Sequence, residues 1–190
     1  MAFEVDGAEG RTTVHALELD LADASRTLWR RLNLRTARHS SESAAHFVTR
    51  LIAYGLHWSE TLAMRDVPPK GNEAVLWQDD PHTGRNSLWI DVGRVDHERL
   101  RHALSRADEV VLYACPADET VLAQVRLKHF AGKRTPRIFL LPHSLVEGAA
   151  AHLERRLEWY LSRDGDDLML AVSGATFEGT LVEVHFAGRG

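Results

Sequence analysis

Between residues 109 and 114 the side chains Val110, Val111, Leu112, Tyr113 and Ala114 follow one another with no polar break. Successive side chains of a strand point to opposite sides of a sheet, so a strand of this composition has no solvent face. A chain that contains it must cover both faces of a sheet. The flanking pattern supplies candidates for that cover. Residues 96–106 read as a helix, with Leu100, Ala103 and Leu104 apolar, and residues 117–129 read as another. Residues 137–141 follow as a strand and 145–161 as a helix. Residues 167–172 and 180–186 then read as two terminal strands joined by a turn through Ser173 and Gly174.

Upstream, Val14, Ala16, Leu17, Leu19 and Leu21 predict a strand over residues 12–21, and residues 27–37 suggest a second. A helix is expected from Ser40 or Ser41 as N-cap to about Gly55, with Glu42 in its first turn and Ala44, Phe47, Val48, Leu51 and Ile52 apolar at helical spacing. Residues 66–73 read as loop. Two short apolar segments, 74–77 and 87–92, flank Asp79, Asp80, Pro81, Thr83 and Gly84, which is the turn chemistry of a hairpin. Strands first, then strand and helix in alternation, predict an α/β (mixed α+β) fold, a mixed central sheet flanked by helices. Residues 1–11, rich in Gly, Asp and Glu, are expected to be a flexible N-terminus, and residues 12–190 a single domain.

A chain of 190 residues with 44% apolar and 26% charged side chains has the make-up of a globular fold rather than a disordered one. Its net charge of -4 gives no general attraction to nucleic acid or anionic lipid, so either would need a local basic patch. The densest such cluster is Arg26, Arg30, Arg31, Arg35 and Arg38, read as a solvated arginine-rich strand face, with a nucleic-acid groove as the alternative. Cys115, the one cysteine, excludes an internal disulfide and a cysteine zinc site and is expected to be a buried packing residue. The eleven histidines contain no HExxH, and there is no P-loop, GxGxxG or GxSxG. The five tryptophans are expected to be core anchors. The N-terminal residues do not show the pattern of a signal peptide, and no apolar run approaches the ~18 residues of a membrane span, so the expected location is the cytoplasm.

Two stretches carry a resemblance. Thr36-Ala37-Arg38-His39-Ser40-Ser41-Glu42 is similar to the signature at the start of the first helix of the YaeQ family. Leu88-Trp89-Ile90-Asp91-Val92-Gly93, with Asp96-His97-Glu98-Arg99-Leu100 after it, resembles that family's signature strand and following helix. The resemblance implies a variant of the PD-(D/E)XK nuclease core, a restriction-endonuclease-like fold in which carboxylates hold Mg²⁺ for phosphodiester hydrolysis. It implies Glu42 and Asp91 as metal ligands and catalytic groups. Arg38 and His39, beside Glu42 in the shared motif, are substrate-binding candidates placed to contact a phosphate at a helix N-terminus, with His39 fixing the entry to the helix as the alternative, and Arg94 is a third candidate. Asp91 has independent support. It shares a strand face with Ser87 and Trp89, opposite Leu88, Ile90 and Val92, and an acid in so apolar a strand must be paired, hydrated or metal-bound.

Three departures matter. Ala74-Val75 stands where the family usually has a Pro-acid pair, Ser87 where another acid is frequent, and Gly93 where ordinary nucleases carry lysine, a loss that is typical of the YaeQ family itself. The expectation is therefore a nuclease-like domain with weak or no turnover that binds nucleic acid or a protein partner. The alternative is an active Mg²⁺-dependent phosphodiesterase on DNA or RNA, with a neighbouring acid such as Glu73, Asp79 or Asp80 replacing the one missing at Val75. In either case Glu42 and Asp91 are expected to point into one cleft.

Overall fold

The computed structural model describes residues 12–66, 69, 71–93, 96–114 and 134–184. The expected helix at 117–129 lies outside the described residues, as do Cys115 and Arg94.

The chain opens with a long antiparallel hairpin. β1 (Thr12–Asp23) and β2 (Leu28–His39) pair over their whole length, from Thr12 opposite His39 to Asp23 opposite Leu28. A 3-10 turn, Ala24–Arg26, reverses the chain. The Asp23 carboxylate accepts the Arg26 N–H there, and Thr27 at φ 51 closes the turn. After α1 (Ala44–Leu56) come β3 (Ala63–Met64), β4 (Leu76–Asp79) and β5 (Asn86–Val92), then α2 (His97–Arg106) and β6 (Ala107–Ala114). The described C-terminal part holds β7 (Arg137–Leu140), α3 (His143–Ala151), β8 (Arg156–Asp164), β9 (Asp167–Val172), β10 (Ala175–Thr180) and β11 (Val182–Val184).

These strands form two mixed sheets rather than the one central sheet expected. The first has the order β10-β9-β8-β1-β2, and the second β11-β7-β6-β5-β4-β3. In the second, β5, β6 and β7 run parallel, and β4 is the antiparallel hairpin partner of β5. α1 lies between the sheets, which is why it is buried on nearly all sides. Its Phe47, Val48, Leu51, Ile52 and Leu56 share one cluster with Leu17, Leu19 and Leu21 of the first sheet and Leu88, Ile90 and Val92 of the second. A smaller cluster on the far face of the second sheet joins Trp89, Leu112 and Ile138 to Leu100 and Ala103 of α2. β6 serves both: Val111 and Tyr113 face the first cluster, Val110, Leu112 and Ala114 the second. The unbroken apolar run thus has the cover on two sides that it requires.

The expected helix over 145–161 is wrong beyond Ala151. From Arg156 the burial alternates, Leu157, Trp159 and Leu161 inward and Arg156, Glu158 and Tyr160 outward, and the segment is β8, parallel to β1. A period of two had been hidden behind the helix before it. β10 was not anticipated, and the terminal strand expected at 180–186 begins instead at Val182, with residues 185 and 186 outside those described. Tryptophans divide as well: Trp89 and Trp159 are buried, but Trp29 is 61% exposed.

Candidate functional site

Ser43, not Ser40 or Ser41, caps α1; its hydroxyl accepts the His46 N–H at 3.1 Å. Glu42 therefore precedes the cap instead of lying in the first turn. His39 sets this approach. Its carbonyl accepts the Glu42 N–H at 2.9 Å, and its Nδ1 meets the Ser41 hydroxyl at 2.6 Å. That geometry makes His39 the fastener of the β2–α1 corner. Arg38, paired in register with Thr13, is half-buried beside it.

From this position the Glu42 carboxylate folds back along α1. Oε1 accepts from His46 Nδ1 at 2.8 Å and Arg50 Nε at 3.0 Å, and Oε2 accepts from Arg50 Nη2 at 3.0 Å. Both side chains of the Glu42–Arg50 pair are more than nine-tenths buried. Burial by itself would raise the Glu42 pKa, but the His46 hydrogen bond and the Arg50 charge outweigh it and hold the carboxyl below its ordinary value. Arg50 spends its other N–H groups on the Thr36 hydroxyl at 3.3 Å, the Arg65 carbonyl at 2.6 Å and the Ala37 carbonyl at 2.8 Å. All five donors of the guanidinium are thus used.

His46 joins this cluster to the second sheet. Its Nε2 lies 3.1 Å from the Val92 carbonyl at the end of β5. Gly93 follows at φ +78, and a Cβ there would stand 3.0 Å from His46 Cδ2. Backbone and imidazole together exclude the lysine that nucleases carry at this place. A cleft of about 280 Å³ opens beside Glu42, lined also by Ser41, Ser43, His46, Arg65 and Val75. It lies between the start of α1 and Arg65, Pro69 and Val75, which flank β3 and β4.

Asp91 is elsewhere. Ile90 and Val92 face α1, so the pleat turns Asp91 with Trp89 toward α2, on the opposite face of the second sheet. There it is fully buried. Oδ2 accepts from Trp89 Nε1 at 3.0 Å and Arg99 Nε at 2.9 Å, and Oδ1 from Arg99 Nη2 at 2.7 Å. The Arg99 guanidinium also donates to the carbonyls of Gly71 and Glu73, tying that loop to α2. The expectation of a shared cleft for Glu42 and Asp91 is therefore corrected: the pleat of β5 sends them to different faces.

No neighbouring acid fills the gap. Asp80 accepts from the His82 N–H and the Thr83 hydroxyl, both at 2.8 Å, and Asp79 from Asn86 at 2.7 Å, which is turn chemistry. Glu73 pairs with Arg65 at 3.3 Å. Among the described residues no three His, Cys, Asp or Glu side chains converge as a metal-holding group. With their oxygens committed to guanidinium groups on opposite faces, Glu42 and Asp91 do not fit a shared Mg²⁺ as they stand.

His46, Arg50 and Arg99 are the partners that sequence reading passed over. The signal for the first two was the four-residue spacing of Glu42, His46 and Arg50 along one helix face. Arg99 left no such signal, since only the packing of α2 against β5 brings it to Asp91.

The family model described as "YaeQ protein" matches residues 10–181. Among curated proteins the chain is similar to the "Uncharacterized protein YaeQ" of Salmonella typhi, 29% identical over 104 residues, 55% of this chain and 57% of that protein. It is likewise 29% identical over 103 residues to the protein of that description from Escherichia coli (strain K12), 54% of this chain and 56% of the other. The matched stretch thus spans little more than half the length of these curated relatives. The crystal structure of the YaeQ protein from Xanthomonas axonopodis pv. citri aligns with a TM-score of 0.79 at 26% identity, covering 91% of this chain and 98% of that one. The YaeQ protein from Pseudomonas syringae gives a TM-score of 0.84 at 24% identity over 92% and 96%, a likeness of fold. With the family model spanning nearly all of the described residues, the chain belongs to the YaeQ family.

Proposed function

We propose that this chain is a binding domain on a nuclease-like frame of the PD-(D/E)XK kind, without turnover, whose ligand is nucleic acid or a protein. One observation carries the reading: each candidate metal carboxylate is itself buried and already neutralised by an arginine, Glu42 by the buried Arg50 and Asp91 by the partly buried Arg99, on opposite faces of the sheet. A guanidinium stands where a divalent cation would supply positive charge. Replacing it would leave a buried cation without its partner, a change that typically costs ~3–5 kcal/mol. The alternative, Mg²⁺-dependent hydrolysis of DNA or RNA, draws support from Glu42 lying beside the cleft, and it requires Arg50 to leave that carboxylate.

The test combines a nuclease assay with Mg²⁺ or Mn²⁺ on DNA and RNA, calorimetric Mg²⁺ titration, and urea unfolding of Asp91→Ala. The expected result is no hydrolysis, no saturable Mg²⁺ binding, and a loss of about 3–5 kcal/mol in stability for the variant. Metal-dependent hydrolysis by the wild type that disappears in Glu42→Gln would overturn the proposal.

A further inference from the structure

The long hairpin leaves one edge of the first sheet open. β2 is last in its sheet, and among the described residues no strand pairs with its outer side. The register shows which peptide groups face outward. The Ala16 N–H donates at 2.8 Å to the Arg155 carbonyl, across to the β8 side. Ala16 and Arg35 are therefore a non-hydrogen-bonded pair, and Arg35 turns its own N–H and C=O away from β1, as do residues 29, 31, 33 and 37. The row is closed at Ala37 and half closed at Trp29. The Ala37 N–H donates to Asp66 at 3.2 Å, its carbonyl accepts from Arg50 at 2.8 Å, and the Trp29 carbonyl accepts from Arg30 at 3.1 Å. Between them the outward peptide groups of Arg31, Asn33 and Arg35 have no partner among the described residues.

Charge on an edge strand commonly guards against self-association, and here it discriminates between occupants. Two β2 strands paired antiparallel about Asn33, the register that engages all three free units, would set Arg31 opposite Arg35 twice. A second copy is disfavoured by that repulsion. An acidic strand is favoured. On the outer face the Arg31 guanidinium is already held by Asp20 through bonds of 2.6 and 2.8 Å. Arg35, whose register partner is Ala16, has no side-chain partner among the described residues. On the inner face Leu32 is buried and Leu34 half-buried against the core. A nucleic-acid strand fits less well, because it has no row of peptide groups to offer to the free N–H and C=O groups of β2.

We propose that the outer edge of β2 takes up an extended segment of a partner protein as an added strand, with acidic side chains beside Arg31 and Arg35 and apolar ones beside Leu32 and Leu34. The inference names a partner class for the binding reading above, yet it stands or falls separately, because a peptide titration and a nuclease assay fail independently.

The probe is fluorescein-labelled acetyl-Glu-Val-Glu-Val-Glu-amide, titrated with the full chain by fluorescence polarisation. Arg35→Glu is expected to weaken binding by about tenfold or more while the circular dichroism stays unchanged. In antiparallel pairing the N–H of the central glutamate points at β2 and those of the valines point away. N-methylation of that glutamate is therefore expected to weaken binding about tenfold, and N-methylation of a valine to leave it nearly unchanged. Four outcomes overturn the proposal: no binding of the probe, equal affinity for the glutamate-methylated peptide, equal affinity for the Lys-Val-Lys-Val-Lys analogue, or an Arg35-dependent affinity confined to a ten-nucleotide oligothymidylate. A wild-type dimer by sedimentation that Arg35→Glu dissolves would give the edge to self-pairing and overturn it as well.

Discussion

Glu42 and His57 sit at opposite ends of α1 and respond oppositely to being buried. Glu42 keeps its charge because His46 and Arg50 hold it, so its pKa lies below the ordinary value despite burial. A carboxyl depressed in the folded state contributes stability above its unfolded pKa, and that contribution fades as pH falls through the lower folded value. His57 loses its charge instead. Burial first, then the nearby Arg137, Arg26 and Arg163, push its pKa down to about 4, while its Nε2 shares a 2.9 Å hydrogen bond with the Tyr113 hydroxyl. Here the unfolded chain binds the proton more readily than the folded one, so stability rises with pH between about 4 and 6.5. The stability lost on acidifying across that window is expected to be on the order of 3 kcal/mol. Urea titrations of wild type and His57→Gln at pH 4.5 and 7 check this; the variant should show a flatter profile, and an unchanged slope would refute the assignment.

At the level of elements, caps and turns fix where helices start more sharply than apolar periodicity does. The pattern of Ala44, Phe47, Val48, Leu51 and Ile52 locates α1, but Ser40, Ser41 and Ser43 all offer a capping hydroxyl, and sequence reading favoured the first two. The fold chose Ser43, since that start lets Glu42 reach Arg50 and leaves Ser41 to His39. Ser43→Ala is expected to cost about 1 kcal/mol of unfolding free energy, and Ser40→Ala to be within about 0.5 kcal/mol of wild type. Chemical denaturation of the two variants decides between the caps. α2 was more legible, because Asp96 is the obvious cap ahead of Leu100 and Ala103, and its carboxylate accepts the Arg99 N–H at 2.8 Å.

For the whole molecule the decisive fact is that helices are held between and against two sheets, at contacts too close for ordinary side chains. Gly148 of α3 lies against β10; a Cβ there would be 2.3 Å from the Phe177 ring. Helix propensity alone favours alanine over glycine by about 1 kcal/mol, but overpacking against a stiff ring costs about 1–3 kcal/mol. Gly148→Ala is therefore expected to be destabilising. Adding Phe177→Leu should recover part of the loss if the ring is the cause, and a double-mutant cycle on thermal or urea unfolding measures the coupling.

Local pattern in the sequence determined most of the elements: the period of two in β1, the helical period of α1, the unbroken apolar run of β6 and the turn residues around Asp80. Each of these depends on neighbours in the chain, where the physics of side-chain alternation and turn conformation acts directly. Tertiary structure decided the rest. That β8 lies beside β1 rather than extending α3, and that two sheets form instead of one, depends on pairings across more than a hundred residues. It also decided the fate of the two acids. Sequence marked Glu42 and Asp91 as carboxylates that needed partners, and they have them. Which partners they found was set by the pleat of β5 and the start of α1, and the answer was an arginine for each, on opposite faces of one sheet.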